Sequence, residues 1–243
     1  MTKITFQRTP DFKPAVAIKK EDNFQEVLDL FSPERSADII RMADGLNDAQ
    51  EIRVRLGQAV LVRKQQREYM SLTKVSKAEM EDILERLNKS SLYALEEEYR
   101  QGFITLEGGH RVGLSGKALL QRGEIRALKD INALNIRLAR NIYGAADELL
   151  RYICVDSAVQ STLLLGAPGA GKTTVLREII RTLSNGEGLF RAYQVALADE
   201  RSELAGMYEG KSSLDVGART DVMDSCPKAQ AMRMLIRSMA PEV

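Results

Sequence analysis

The run Gly166-Ala167-Pro168-Gly169-Ala170-Gly171-Lys172-Thr173 fits G-x-x-x-x-G-K-[ST] without a mismatch. Each residue type has a chemical reason to be there. Glycines let backbone N–H groups curl inward around phosphate oxygens, and a helix that starts at the loop adds positive potential. Lys172 brings a point charge to the outer phosphates, the Thr173 hydroxyl is a Mg²⁺ ligand, and Thr174 follows in the same first turn. The pattern predicts a site for ATP, or GTP, with Mg²⁺ over Gly166 to Thr174. A glycine turn that only caps a helix is the competing reading. The flanks argue against it: the apolar run Thr162 to Leu165 leads in as a strand and Thr173 to Leu183 leads out as a helix.

Asp199 and Glu200 directly follow the next apolar run, Tyr193 to Ala198, in the stretch ADERSE. Carboxylates at the carboxyl end of a parallel strand lie where α/β proteins bind ligands, and there they can hold Mg²⁺ through water or polarise an attacking water. The competing reading is a charged cap on a following helix, and the register of two adjacent carboxylates stays open. Lys172, Asp199 and Glu200 are the catalytic candidates; Glu203, beside Arg201, is a weaker one. The single histidine, His110, reads as an exposed turn residue, with no second histidine to form a metal pair. Cys154 and Cys226 are far apart, in no CxxC spacing, and read as reduced thiols.

Around these residues the elements follow from periodicity. Phe24, Val27, Leu28 and Phe31 mark a helix; Ser32-Pro33 restarts one, with serine as cap and proline in the first turn. Glu51 to Val62 alternates as strands turning at Gly57. Ser76 and Glu79 open a helix as a capping box, with an interruption expected at Asn88 to Ser91. Phe103 to Leu106 and Arg111 to Leu114 form a hairpin across Glu107-Gly108-Gly109-His110, and the chain from Ile125 to Ile142 is helical or extended. A last helix from Pro227 carries Met232, Leu235, Ile236 and Met239 on one face. The alternation of strands and helices predicts an α/β fold with a mostly parallel sheet after a mixed α+β first half. The predicted division is a loose arm over 1–22, an N-terminal domain over 23–146 and a P-loop domain over 147–243.

The 243 residues carry 35 basic and 34 acidic side chains, a formal charge of +1. So balanced a chain has no general field for phosphate backbones, and no nucleic-acid partner is expected. No secretory signal and no membrane-spanning window appear, which predicts a cytoplasmic protein, at most peripheral on a membrane.

Three stretches, TLLLGAPGAGKTTVLREIIRTLS, VALADERSELAGMYEG and DVGARTDVMDSCPKAQAMRMLIRSMAPEV, resemble the stage III sporulation AA family. So does the upstream segment EGGHRVGLSGKALLQRGEIRALKDINALNIRLARNIYGAAD. The family is similar to the ring-forming ATPases of type II and type IV secretion and to pilus motors. The resemblance implies a RecA/AAA-like P-loop domain, an ATPase, a homo-oligomeric ring, and association with other stage III sporulation proteins at a membrane complex between mother cell and forespore. A nucleotide-dependent scaffold or switch with negligible turnover is the alternative. The family's phosphate loop maps onto Gly166 to Thr173 and its acidic box onto Asp199, Glu200 and Glu203. Arg137 or Arg140 would reach toward a neighbouring subunit's nucleotide, with Arg219 as a rival; surface arginines on an amphipathic segment are the plain alternative for each. Family members continue past Pro241-Glu242-Val243 into an apolar strand ending in Asp-Glu, so the P-loop domain is expected to be incomplete here.

Overall fold

The computed structural model describes residues 24–65, 67–88, 102–121, 123–156, 158–188 and 191–243. The arm expected over 1–22 and most of the helix interruption expected after Asn88 lie outside them. Contacts divide the described chain into two units. One holds the residues up to Arg140 together with Asp199–Leu214; the other holds Asn141–Ala198 and Asp215–Val243.

The first unit is built on a six-stranded sheet. Its strands are β1 (Ala49–Arg55), β2 (Ala59–Lys64), β3 (Arg67–Lys74), β4 (Phe103–Thr105), β5 (Arg111–Gln121) and β6 (Glu124–Arg137), in the order β3-β2-β1-β6-β5-β4. Every adjacent pair is antiparallel. A mostly parallel sheet is therefore not what this unit uses. Its register places Val62, Ile52, Ile136 and Val112 in one row across four strands, all buried. That row is the direct result of period-2 alternation, because one residue of slip would turn the whole set to the other face.

Helices α1 (Gln25–Leu28), α2 (Pro33–Met42) and α3 (Lys77–Asn88) contribute Val27, Ile39, Met80, Ile83 and Leu87 to the same core. Both predicted caps form: Ser32 Oγ accepts from Arg35 N–H at 3.2 Å, and Ser76 Oγ from Glu79 N–H at 3.1 Å. Glu79 does not return to its own cap. Its two oxygens take Arg35 Nε at 2.5 Å and Nη2 at 2.9 Å, a fork-to-fork pair that ties the starts of α2 and α3 together.

The second unit contains α4 (Asp147–Ile153), the short hairpin β7 (Cys154–Val155) and β8 (Ala158–Val159), α5 (Lys172–Asn185), β9 up to Ala198, β12 (Thr220–Asp224) and α6 (Lys228–Ser238). Strand β9 runs Val195–Asp199 and is hydrogen-bonded beside β12. On β9, Val243 N–H donates to Gln194 O at 3.2 Å and Val243 O accepts from Ala196 N–H at 2.9 Å. One residue bonded to i−1 and i+1 of its neighbour is the parallel pattern.

One expectation fails here. Thr162 to Leu165 forms no regular element and joins no ladder among the described residues, and Leu163 and Leu165 are 75% and 81% exposed. An apolar run makes a strand only where a neighbour takes up its amides and carbonyls. On α6 the buried residues are Ala231 and Leu235, and of the predicted apolar face Met232, Ile236 and Met239 are exposed.

Candidate nucleotide-binding site

The loop Gly166–Gly171 is exposed and leads straight into α5, the longest helix described in its unit. Gly169 and Gly171 take φ of 76° and 84°, conformations that side chains with a Cβ rarely adopt, and a Cβ at either would meet nothing within 4 Å. Backbone conformation, not crowding, is what calls for glycine at both. Gly171 is also the residue before the first helical turn, and no side chain caps it. The amides that open an α-helix have no intrahelical partner, so the start of α5 presents uncapped donors along the positive end of its dipole. Ala170 N–H returns to Ala167 O at 3.2 Å and closes the loop.

Lys172 Nζ lies over this loop, donating to Gly166 O at 2.9 Å and Ala167 O at 2.8 Å. The ammonium is thus held on the loop side of the helix rather than turned to bulk water. Thr173 and Thr174 occupy the first turn with Lys172, half-buried. Uncapped amides, a centred ammonium and a neighbouring hydroxyl form a donor set suited to a polyphosphate with its cation, and no carboxylate stands among Gly166 to Thr174 to oppose it.

Sequence reasoning missed how α5 is held. Arg177, Glu178 and Arg181 are buried along with Ile179, Ile180 and Leu183, while Leu176 is exposed. Glu178 accepts from Arg181 Nε at 2.8 Å and from Gly144 N–H at 2.7 Å; Arg181 also bonds Glu187 at 2.7 Å and stacks on Tyr143 at 4.9 Å. These carboxylates keep the Arg181 guanidinium protonated more firmly than usual. At the far end of α5, Gly217 packs so close that a Cβ there would lie 2.5 Å from Ser184 Cβ. Ser184 Oγ accepts from Arg219 N–H at 2.7 Å and Ser184 O from Arg219 Nη1 at 3.1 Å, which fastens Arg219 to the helix.

The acidic stretch folds with the first unit. Asp199 is buried, and its carboxylate accepts from Glu203 N–H at 3.0 Å and from Leu204 and Ala205 N–H at 2.9 Å each. The capping alternative thus describes its contacts, although what it caps is a turn leading to β10 (Met207–Tyr208) and β11 (Lys211–Ser212), not a helix. Glu203 pairs with Arg111 at 2.7 Å, and Glu200 is exposed. Among the described residues no cluster of three or more His, Cys, Asp or Glu has a metal-binding arrangement.

Arg137 is exposed on β6, whereas Arg140 donates to Leu46 O at 2.8 Å and lies over the Phe24 ring at 5.0 Å. His110 corrects its expectation: it is 2% exposed, with Nδ1 accepting from Ala139 N–H at 3.0 Å. Burial first, then the Arg140 charge, lowers its pKa to about 4. Glu242 accepts from Gln194 N–H at 2.9 Å and from Arg191 at 2.8 Å, so it serves the Val243 pairing. No described helix is long and apolar enough to cross a membrane.

The comparisons with known proteins match this architecture. The model for the family "Sporulation stage III, protein AA" covers residues 22–243. Stage III sporulation protein AA of Bacillus subtilis (strain 168) is 42% identical over 197 residues, which are 81% of this chain and 64% of that protein. Among solved structures, the Legionella pneumophila ATPase DotB superposes with a TM-score of 0.52 at 18% identity, over 85% of this chain and 57% of its own. The pilus retraction motor PilT with bound ADP gives 0.48 at 14% identity, over 82% and 56%. The likeness to DotB is one of fold. The chain spans less than two thirds of the length of these relatives. With 222 residues from Asp22 to Val243 under one family model, the chain belongs to the sporulation stage III protein AA family.

Proposed function

We propose that the chain binds MgATP on the loop Gly166–Thr174 and serves as the ATP-hydrolysing subunit of a homo-oligomeric, secretion-like assembly acting in sporulation. The observation that carries this reading is the union of two left-handed glycines, an uncapped helix start and Lys172 held over the loop. Bound MgATP would supply the phosphoryl group and a divalent charge. Within the chain, Lys172 would neutralise the outer phosphates, Thr173 would offer its hydroxyl to the metal, and the α5 amides would orient the phosphate chain. Asp199 is engaged by backbone amides, and Glu200, which is exposed, would be the carboxylate that polarises water. Arg137, exposed on β6, is a better candidate than Arg140 or Arg219 for a contribution to a neighbouring subunit. The parallel bridge at Val243 supports a RecA/AAA-like sheet in the P-loop domain. Membership of the sporulation stage III protein AA family supports a ring that works with other stage III sporulation proteins at a membrane complex, on its cytoplasmic side.

A second reading is a nucleotide-dependent scaffold with negligible turnover. The engagement of both Asp199 oxygens by amides favours it, since that group is then structural. Phosphate release measured alongside sedimentation with ATP separates the two. Release that rises with assembly supports the ATPase; ATP-dependent assembly without release selects the scaffold.

A further inference from the structure

Beyond Ser115, β5 and β6 leave the sheet. Strand β1 pairs with β6 only from Ala133 to Arg137, and β4 pairs with β5 only from Arg111 to Gly113. From Lys117 to Lys129 the two strands pair with each other alone. The departure point is fixed by a register shift and by Gly116, where a Cβ would lie 2.6 Å from Lys129 O. A second shift, between Leu119 and Leu120, brings Leu120 opposite Ile125 next to the turn.

This ribbon carries exposed apolar residues towards its end and a pair of lysines where it leaves the sheet. One face carries the opposed pairs Ala118–Leu128 and Leu120–Ile125, with Leu120 and Ile125 67% and 46% exposed. The other begins with Lys117 directly opposite Lys129, both exposed, and continues with Leu119 opposite Ala127, both half-buried. Like charges facing across antiparallel strands oppose folding, so this pair is not there for stability. Over 117–129 the sequence has Lys117, Arg122, Arg126 and Lys129 against Glu124 alone, in a chain whose whole charge is +1. Asp130, directly after Lys129, leaves the stretch 117–130 with four basic and two acidic residues.

We propose that the β5–β6 ribbon is a docking element for an anionic lipid surface, the side chains of Leu120 and Ile125 entering the headgroup region and Lys117, Arg126 and Lys129 lying against lipid phosphates. A projecting element with apolar residues at its end and cations beside them has the composition that interfacial elements use. Each basic side chain near an anionic membrane strengthens binding by roughly fivefold. A nucleic-acid duplex would use the cations but would have no use for the exposed apolar residues. The assignment stands on the ribbon alone and does not depend on nucleotide binding.

The test is co-sedimentation of the 1–243 protein with vesicles of phosphatidylglycerol and phosphatidylcholine, and with phosphatidylcholine alone. The double variants Leu120→Ser with Ile125→Ser, and Lys117→Gln with Lys129→Gln, are compared with the parent, and thermal melts report folding. Removing the lysine pair relieves repulsion, so loss of binding there cannot be ascribed to unfolding. Expected are binding to the anionic vesicles only, weakened by salt, and a loss on the order of tenfold or more in each double variant. Absence of vesicle binding, equal binding to neutral vesicles, or parent-like binding by both variants would overturn the proposal. So would variants that lose binding to duplex DNA while keeping their hold on vesicles.

Discussion

Asp199 Oδ2 and the amide of Ala205 are 2.9 Å apart, both buried, and Leu204 N–H shares the same oxygen. The carboxylate that follows strand β9 is thus the anchor of the turn that returns the chain toward β10. Asp199→Ala would leave these amides without an acceptor. Each buried unsatisfied donor costs about 1–3 kcal/mol, so the variant should lose at least ~3 kcal/mol in chemical denaturation. A melt equal to the parent's would show that the turn does not need the carboxylate.

Glu200, one residue on, is exposed. Glu200→Gln should melt like the parent and bind MgATP like it, while phosphate release falls by roughly tenfold or more, the pattern of a group acting in the reaction and not in binding. Equal turnover in variant and parent would remove Glu200 from the chemistry.

The start of α5 is only as well placed as the helix itself. Arg181→Ala leaves Glu178 buried without the guanidinium that faces it. Breaking a buried pair from one side costs about 3–5 kcal/mol, and the Glu187 arm of the network, being exposed, places the expected loss near the lower figure. Arg181→Lys should recover little of it, since an ammonium cannot serve Glu178 and Glu187 together with a fork. Full recovery with lysine in denaturant titrations would contradict the geometric argument.

His110 gives the first unit a pH-dependent stability. Its pKa in the fold is about 4, below the ordinary value of 6.5. Between those values the unfolded chain binds the extra proton, so stability rises with pH through that window and falls on acidification toward pH 4. The contribution is on the order of 1.4 kcal/mol per pH unit. His110→Gln, which keeps an acceptor for Ala139 N–H, should flatten the slope of unfolding free energy from pH 4 to 6.5. An unchanged slope would assign the effect to other groups.

What could be read from the chain was what chemistry fixes locally. A phosphate-loop pattern is contiguous, and its glycines, lysine and threonine must occur at set spacing, so Gly166 to Thr173 marks the candidate site whatever surrounds it. Ser32 and Ser76 were legible for the same reason, each cap acting within three residues. Long-range partners were not. His110 sits at the end of a glycine turn, and nothing nearby in sequence says that Phe24 and Ala139 will enclose it. Thr162 to Leu165 has the composition of a strand, yet strand formation depends on a neighbour elsewhere in the chain. The segment after Ile125 fits either period, because β6 carries extra residues between Ile125 and Ala127 and between Lys129 and Ala133, and these break the alternation that would have marked a long hairpin.

Nucleotide binding by the Gly166–Thr174 loop is tested most directly by equilibrium titration of a fluorescent ATP analogue, with and without Mg²⁺, into the parent and Lys172→Ala. The lysine side chain bonds only Gly166 O and Ala167 O in the fold, and both are exposed loop carbonyls, so the melt of the variant should match the parent's. The parent should bind saturably and lose the analogue to unlabelled ATP. The variant should bind at least about tenfold more weakly, as expected for loss of a charge-assisted phosphate contact. Equal affinity in the two proteins, or no saturable binding by the parent, would contradict the account.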